Sequence, residues 1–197
     1  MNTTAPATAR APVTGVRLAA GMVAGILLAL SFPPFAWLSG WLAVPAFAGL
    51  VASVRGLPAR RAGGWLSGPG ALVTGAAGSA FFLVLLTWMR VLGPDAWIAL
   101  VLLCALFWAA AGAVLPALLV RRWWVLSVPL LWVAMEALRA RVPWGGFPWG
   151  RLAFAQAGTE LVGWAAVGAA AAVTFVVALA GTLLLWGAQR LRARRWR

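Results

Sequence analysis

Apolar runs at 16–30, 37–54, 70–89, 96–120, 125–138 and 161–186 follow one another along this chain with only short polar breaks between them. A helix needs about 20 apolar residues to cross the hydrocarbon core of a bilayer, and 197 residues leave room for six such runs and their loops. Hydrophobic residues make up 64% of the chain, beside 16 basic and 3 acidic ones. A soluble domain has about 45–50% apolar and about 25% charged residues, and disorder needs low hydrophobicity. Both classes are excluded. The expected fold class is therefore all-α, a polytopic membrane helix bundle of about six transmembrane helices. The expected organisation is a flexible cytoplasmic lead at 1–15, the transmembrane bundle at 16–187 and a basic cytoplasmic tail at 188–197. The first run reads as a retained span rather than a signal-peptide core, because no small-residue cleavage site follows it and Pro33 and Pro34 do.

The residue inventory removes most chemistry. Every basic residue is Arg, there is no His, Lys or Tyr, and the only thiol is Cys104. Without His there is no Ser-His-Asp triad and no imidazole metal site, and without Lys there is no Schiff base. The acids are Asp95, Glu136 and Glu160, too scattered to suggest a metal cluster. No catalytic residue, metal or cofactor is expected from these side chains alone. Cys104 lies mid-run and reads as a small buried filler, since a desolvated thiol forms little thiolate. Asp95 is expected to cap the fourth span. Thr159 is expected to cap the sixth, with Glu160 at the positive end of its dipole.

The net charge of +13 does not mark a nucleic-acid binder, because Arg is scattered between apolar runs instead of gathered on one face. Such Arg sets membrane topology and meets anionic headgroups. With the N-terminus inside, twelve Arg fall on the cytoplasmic side and four, Arg90, Arg139, Arg141 and Arg151, on the outer side. The reverse placement violates the positive-inside rule. Both termini are expected in the cytoplasm, and the segments at 31–35, 90–95 and 139–158 on the outer face.

The segment 131–156, LWVAMEALRARVPWGGFPWGRLAFAQ, stands apart. Glu136 sits in an apolar run, where a carboxylate is costly unless paired and marks a functional position. Arg139, one helical turn on, is its expected partner. That pair reads equally well as a purely structural one fixing the end of the fifth span. Pro143, Gly145, Gly146, Pro148 and Gly150 forbid a regular helix, yet Trp144, Phe147, Trp149 and Phe154 are apolar. A non-helical apolar stretch suits a re-entrant or interfacial loop on the outer face. Its polar side chains are Arg, indole N–H and Gln156, donors suited to phosphate and ester oxygens. An aromatic interface belt would explain the Trp residues but not the Gly and Pro spacing.

Leu131, Trp132, Glu136, Leu138 and Arg139, then Gly146, Phe147, Pro148 and Trp149, then Phe154 and Gln156, resemble the membrane part of bacterial apolipoprotein N-acyltransferases. The SFPPF breaker at 31–35 and Trp88 extend the resemblance over about residues 18–185. Phe154 stands where the family commonly has Tyr, so any hydrogen bond from that hydroxyl is lost. The resemblance implies a reaction. Family members move an acyl chain from a phospholipid to the α-amine of an S-diacylglyceryl cysteine, using a Glu-Lys-Cys triad in a nitrilase-like domain. It implies Glu136, Arg139, Trp144, Phe147, Pro148, Trp149 and Gln156 as substrate- and lipid-binding residues. The implied partners are phospholipid and lipoprotein, and the implied location is the bacterial inner membrane. The chain is expected to be the membrane half of such an enzyme and inactive alone, because it has no Lys and no room for the nitrilase-like domain, which a separate catalytic partner would supply. The competing expectation is a non-catalytic lipid-binding scaffold or degenerate paralogue. A small transporter ranks below both, because the two halves lack related broken helices.

Overall fold

The computed structural model describes residues 15–35, 40–58, 66 and 68–195. The fold is all-α, with no strand among the described residues. The six α-helices are α1 Gly15–Leu30, α2 Ala43–Val54, α3 Pro69–Leu85, α4 Pro94–Leu119, α5 Trp124–Arg139 and α6 Ala165–Arg195. Single-turn or two-turn 3-10 segments, Gly40–Leu42, Thr87–Leu92, Leu152–Gln156 and Glu160–Trp164, join them. Each expected run contains one helix. The expected lead and the polar loop around Arg60 and Arg61 lie almost wholly outside the described residues.

The breaks follow local chemistry. Ser31 donates its hydroxyl to Leu28 O and Pro33 and Pro34 follow, which stops α1. Pro69 and Pro94 each sit in the first turn of a helix, where a missing N–H costs nothing. Asp95 does not cap α4: Gly93, with φ 117°, occupies the cap position, Pro94 comes first, and no side-chain cap bond forms. Asp95 is left in the first turn, where its charge still faces the positive end of the helix. Thr159 does hold the position before Glu160, but its hydroxyl donates to Gln156 Oε1 at 2.8 Å instead of being used as a cap. α6 is interrupted at Gly168 and Ala169, where Ala169 takes φ 50°, and then continues through the basic segment to Arg195.

The helices form a closed ring in the order α1, α3, α4, α5, α6, α2 and back to α1. Six aromatic rings run through its middle. Phe47 of α2 meets Trp132 of α5 at 5.0 Å, and Trp132 meets Trp108 of α4 at 4.7 Å. Trp108 stacks on Phe81 of α3 at 5.1 Å, beside Phe82, and Phe32 closes the column at 5.4 Å from Phe81. Edge-to-face and offset pairs of this kind add about 0.5–1.5 kcal/mol each beyond area burial. Around this column, small residues bring backbones together. A Cβ on Gly112 of α4 would overlap Thr74 Oγ1 and lie against Gly70 O at 2.5 Å on α3. Gly112→Ala must push α3 and α4 apart, and a loss of about 1–3 kcal/mol is expected, readable as a lower unfolding midpoint in detergent.

The outward faces are apolar as well. Met22, Ile26, Leu72, Leu83, Leu102, Leu106, Leu130 and Leu183 are all exposed. A helix apolar on all sides belongs in a protein core or a membrane. Two helical runs, Pro94–Leu119 and Glu160–Arg195, are long and apolar enough to cross a membrane, and Gly15–Leu30, Gly40–Val54 and Pro69–Leu85 are shorter apolar helices.

Candidate functional site: the loop between α5 and α6

The chain leaves α5 at Arg139 and re-enters a long helix only at Ala165. Between them, Trp144, Gly145, Gly146 and Gly150 all take positive φ. Gly146 has no alternative: a Cβ there would overlap Ala140 C and Arg141 N. Gly145, next to it, faces open space. The loop folds back so tightly that Phe147 N donates to Arg139 O at 2.8 Å.

Arg139 is the centre of this turn. It is 1% exposed, and its Nη1 donates to Phe147 O at 2.8 Å and to Trp149 O at 2.5 Å. Nη2 reaches Gly150 O at 3.4 Å. The guanidinium also lies 5.2 Å from the centre of the Phe82 ring. A planar fork with five donors reaches three carbonyls from two separate nitrogens, a spread geometry that a compact ammonium does not offer.

Glu136 holds the next part of the loop. Its Oε1 accepts from Leu152 N at 2.9 Å and its Oε2 from Thr174 Oγ1 at 2.8 Å. Thr174, on α6, also accepts from Ala153 N at 3.3 Å. The expected pairing of Glu136 with Arg139 is therefore corrected. Among the described residues no ion pair joins them, because each side chain is turned to a different part of the loop backbone. Those backbone groups are buried and have no helical partner, so they need side-chain partners. Glu136→Ala strands two buried donors and is expected to cost about 2–4 kcal/mol. Glu136→Gln keeps one acceptor, and Thr174 can reverse its role, so its loss should stay near 1 kcal/mol. Thermal unfolding of both variants checks the order.

Gln156 is the third anchor. It is fully buried, and its Nε2 donates to Gly40 O at 2.9 Å, while its Oε1 accepts from Thr159. The loop is thus tied to α5, to α6 and to the entry of α2.

Its aromatic side chains point the other way. Trp144 is 97% exposed and Trp149 52% exposed. Pro148 is exposed, and Phe147 is half-buried against the core. Trp149 lies 6.3 Å from the Trp88 ring and 6.5 Å from Phe154. With Phe32, Pro33 and Leu85 it lines an apolar cavity of about 340 Å³. A second cavity, of about 230 Å³, lies on the other side of the loop against α4.

Residues 24–183, which contain the whole of this arrangement, match the N-terminal domain of apolipoprotein N-acyltransferases. The chain belongs to the apolipoprotein N-acyltransferase family. A curated apolipoprotein N-acyltransferase from Ralstonia nicotianae is 31% identical over 201 residues, covering 91% of this chain and 36% of that relative. The chain spans about a third of the length of the relative it matches.

The seven sequence-predicted site residues separate into distinct groups. Glu136, Arg139 and Gln156 are buried and hold the loop, Trp144, Pro148 and Trp149 face outward, and Phe147 is half-buried against the core. Sequence reasoning missed Thr174, Phe32, Leu85 and Gly40. Thr174 left one signal, a hydroxyl in the middle of an apolar run. Phe32 left another, its place in the SFPPF breaker; Leu85 and Gly40 left none, because they meet the loop only through the closing of the helix ring.

Proposed function

We propose that this chain is the membrane-embedded part of an apolipoprotein N-acyltransferase, with six helices in the bilayer of the bacterial inner membrane and both termini in the cytoplasm. The loop between α5 and α6 sits at the outer face as an interfacial element. Its Trp144, Phe147, Pro148 and Trp149 side chains hold the phospholipid acyl donor and the diacylglyceryl lipoprotein. Glu136, Arg139 and Gln156 fix the loop that presents them. The observation that carries this reading is the rigid three-point anchoring of an apolar loop whose aromatic residues border a 340 Å³ apolar cavity. Binding sites place a few polar groups behind a largely apolar lining, on a preorganised frame.

The reacting groups lie outside these 197 residues, because no Lys or His is present and Cys104 is 1% exposed within α4. A separate nitrilase-like partner, or further chain, supplies them. The chain alone should give no turnover of a fluorescent phospholipid and a diacylated peptide, and turnover would overturn the placement of the chemistry elsewhere. In vesicles, a photoactivatable phosphatidylglycerol should cross-link to residues 147–154. Trp149→Ala should lower the yield roughly tenfold, from the loss of about 1.5 kcal/mol of aromatic burial. An unchanged yield would exclude this cavity as the donor site.

A further inference from the structure

The end of the bundle opposite the loop carries the largest unbalanced charge in the molecule. α1, α3 and α5 begin there and α2, α4 and α6 finish there, and Arg17, from the start of α1, donates to Arg55 O at 2.7 Å just past α2. Eight described Arg lie at this end, Arg17, Arg55, Arg121, Arg122 and the four within 190–195. The three acids of the chain are elsewhere: Asp95 is in the first turn of α4, Glu136 in the last turn of α5, and Glu160 opens the 3-10 segment before α6. No Asp or Glu neutralises this end, and like charges held together repel. Three of the guanidinium groups are held over indole rings. Arg55 lies 4.8 Å from the centre of the Trp124 ring, Arg122 4.9 Å from that of Trp123 and Arg190 5.3 Å from that of Trp186. All three belong to one corner, since α6 lies between α2 and α5 in the ring. Thr182, one turn before Trp186, donates to Val125 O at 3.0 Å, two residues past Trp123. Arg122 and Arg190 are exposed, and the half-buried Arg55 adds its charge. A guanidinium stacked on a ring keeps its N–H donors in its own plane, which suits the oxygens of a phosphodiester. An apolar surface leads away from the same corner: Leu126 and Leu130 of α5 and Leu183 of α6 are exposed. A free anion makes no use of that surface, whereas an amphiphile does. Trp at the border between charge and apolar surface marks headgroup depth in a bilayer.

We propose that the corner formed by α2, α5 and α6 binds one anionic phospholipid, with its phosphodiester oxygens accepting from Arg122 and Arg190 and its acyl chains lying along Leu126, Leu130 and Leu183. This lipid is a bound neighbour that neutralises the basic end, and it is not a reactant. The site lies at the far end of the bundle from the Trp149 cavity and shares with the lipid-holding reading only the bilayer around the helices.

A phosphatidylglycerol with a photoactivatable group near its glycerol tests the site in vesicles made mostly of phosphatidylcholine, beside a phosphatidylcholine carrying the same group. Cross-linked peptides are mapped by mass spectrometry. The ratio of phosphatidylglycerol to phosphatidylcholine labelling at 120–130 should exceed that at 87–98, the end that carries Asp95, about fivefold. Arg122→Ala and Arg190→Ala should each lower the phosphatidylglycerol yield at 120–130 about fivefold, the effect of one cation near an anionic surface. Both side chains are exposed, so their loss leaves the packing of the bundle intact. Arg90→Ala removes the same charge from an Arg stacked on Trp97 at the other end and should leave that yield unchanged. Equal ratios at the two ends overturn the proposal. So does an unchanged yield in both Arg122→Ala and Arg190→Ala, or an equal loss in Arg90→Ala, which makes the effect one of net charge. Inorganic phosphate, compared with chloride at equal ionic strength, should not compete; if it does, the site takes a free anion and the proposal falls. Labelling at 147–154 should be the same in all three variants. The preference at 120–130 with no labelling at 147–154 removes the donor site beside Trp149 and leaves this one, and the reverse removes this one and leaves the donor site.

Discussion

Arg139→Ala is expected to release the loop. The substitution removes the donors to Phe147 O and Trp149 O, two part-buried carbonyls. Hydrogen bonds to a charged group contribute about 1.5–3 kcal/mol each, so the two short ones together predict a loss of about 3–5 kcal/mol. Part of the loss should be local. Arg151 lies in the loop and is partly exposed, so trypsin should cut there far faster in the variant than in the parent. Arg139→Lys keeps the charge but offers a single ammonium to three carbonyls, and it should fall between the two. A parent-like melting point and trypsin pattern for Arg139→Ala would show that the glycines and prolines hold the loop without it.

Gly146→Ala should be at least as damaging as a much larger change elsewhere. Two effects add. The positive φ of 76° costs about 1–2 kcal/mol for a residue with a side chain. The new methyl must also displace backbone at Ala140 and Arg141, which directly follows α5 and cannot rotate away as a side chain can. A total above about 3 kcal/mol is expected, in the range reserved for backbone overlap and strain. Gly145→Ala provides the internal control. Its φ of 94° carries similar strain, but nothing lies within 4 Å of the added atom, so only about 1–2 kcal/mol should be lost. Equal destabilisation by the two would mean that φ alone matters and that the close approach to Ala140 does not.

The two substitutions also separate what was legible in the chain from what was not. That 146 is a turn glycine could be read from the PWGG spacing. That its missing Cβ admits the backbone of residue 140 could not. The same holds for Glu136. Its cost in an apolar run was plain, and a partner was required, but the nearest cation by helical spacing was the wrong one. Helical spacing reports neighbours on one helix. The partners that won, Leu152 N and Thr174 Oγ1, come from 16 and 38 residues away. They won because loop amides and a buried hydroxyl had unmet hydrogen-bonding needs at that place, and Arg139 had three carbonyls to satisfy on its own side. Asp95 is a smaller case of the same kind: the composition of the turn was right, but Gly93 and Pro94 took the positions that a capping side chain would have needed.

The sequence by itself determined the all-helical class, the six apolar segments, the family and the identity of the unusual loop. These depend on composition, run length and short-range spacing, which are properties of the chain before it folds. Only the tertiary structure decided how the helices close into a ring around six aromatic rings, which residues anchor the loop and which face outward. It also decided that the loop divides two cavities, one beside Trp149 and one against α4. Those features depend on which buried polar groups meet across the bundle, and burial creates that demand only once distant segments have been brought together.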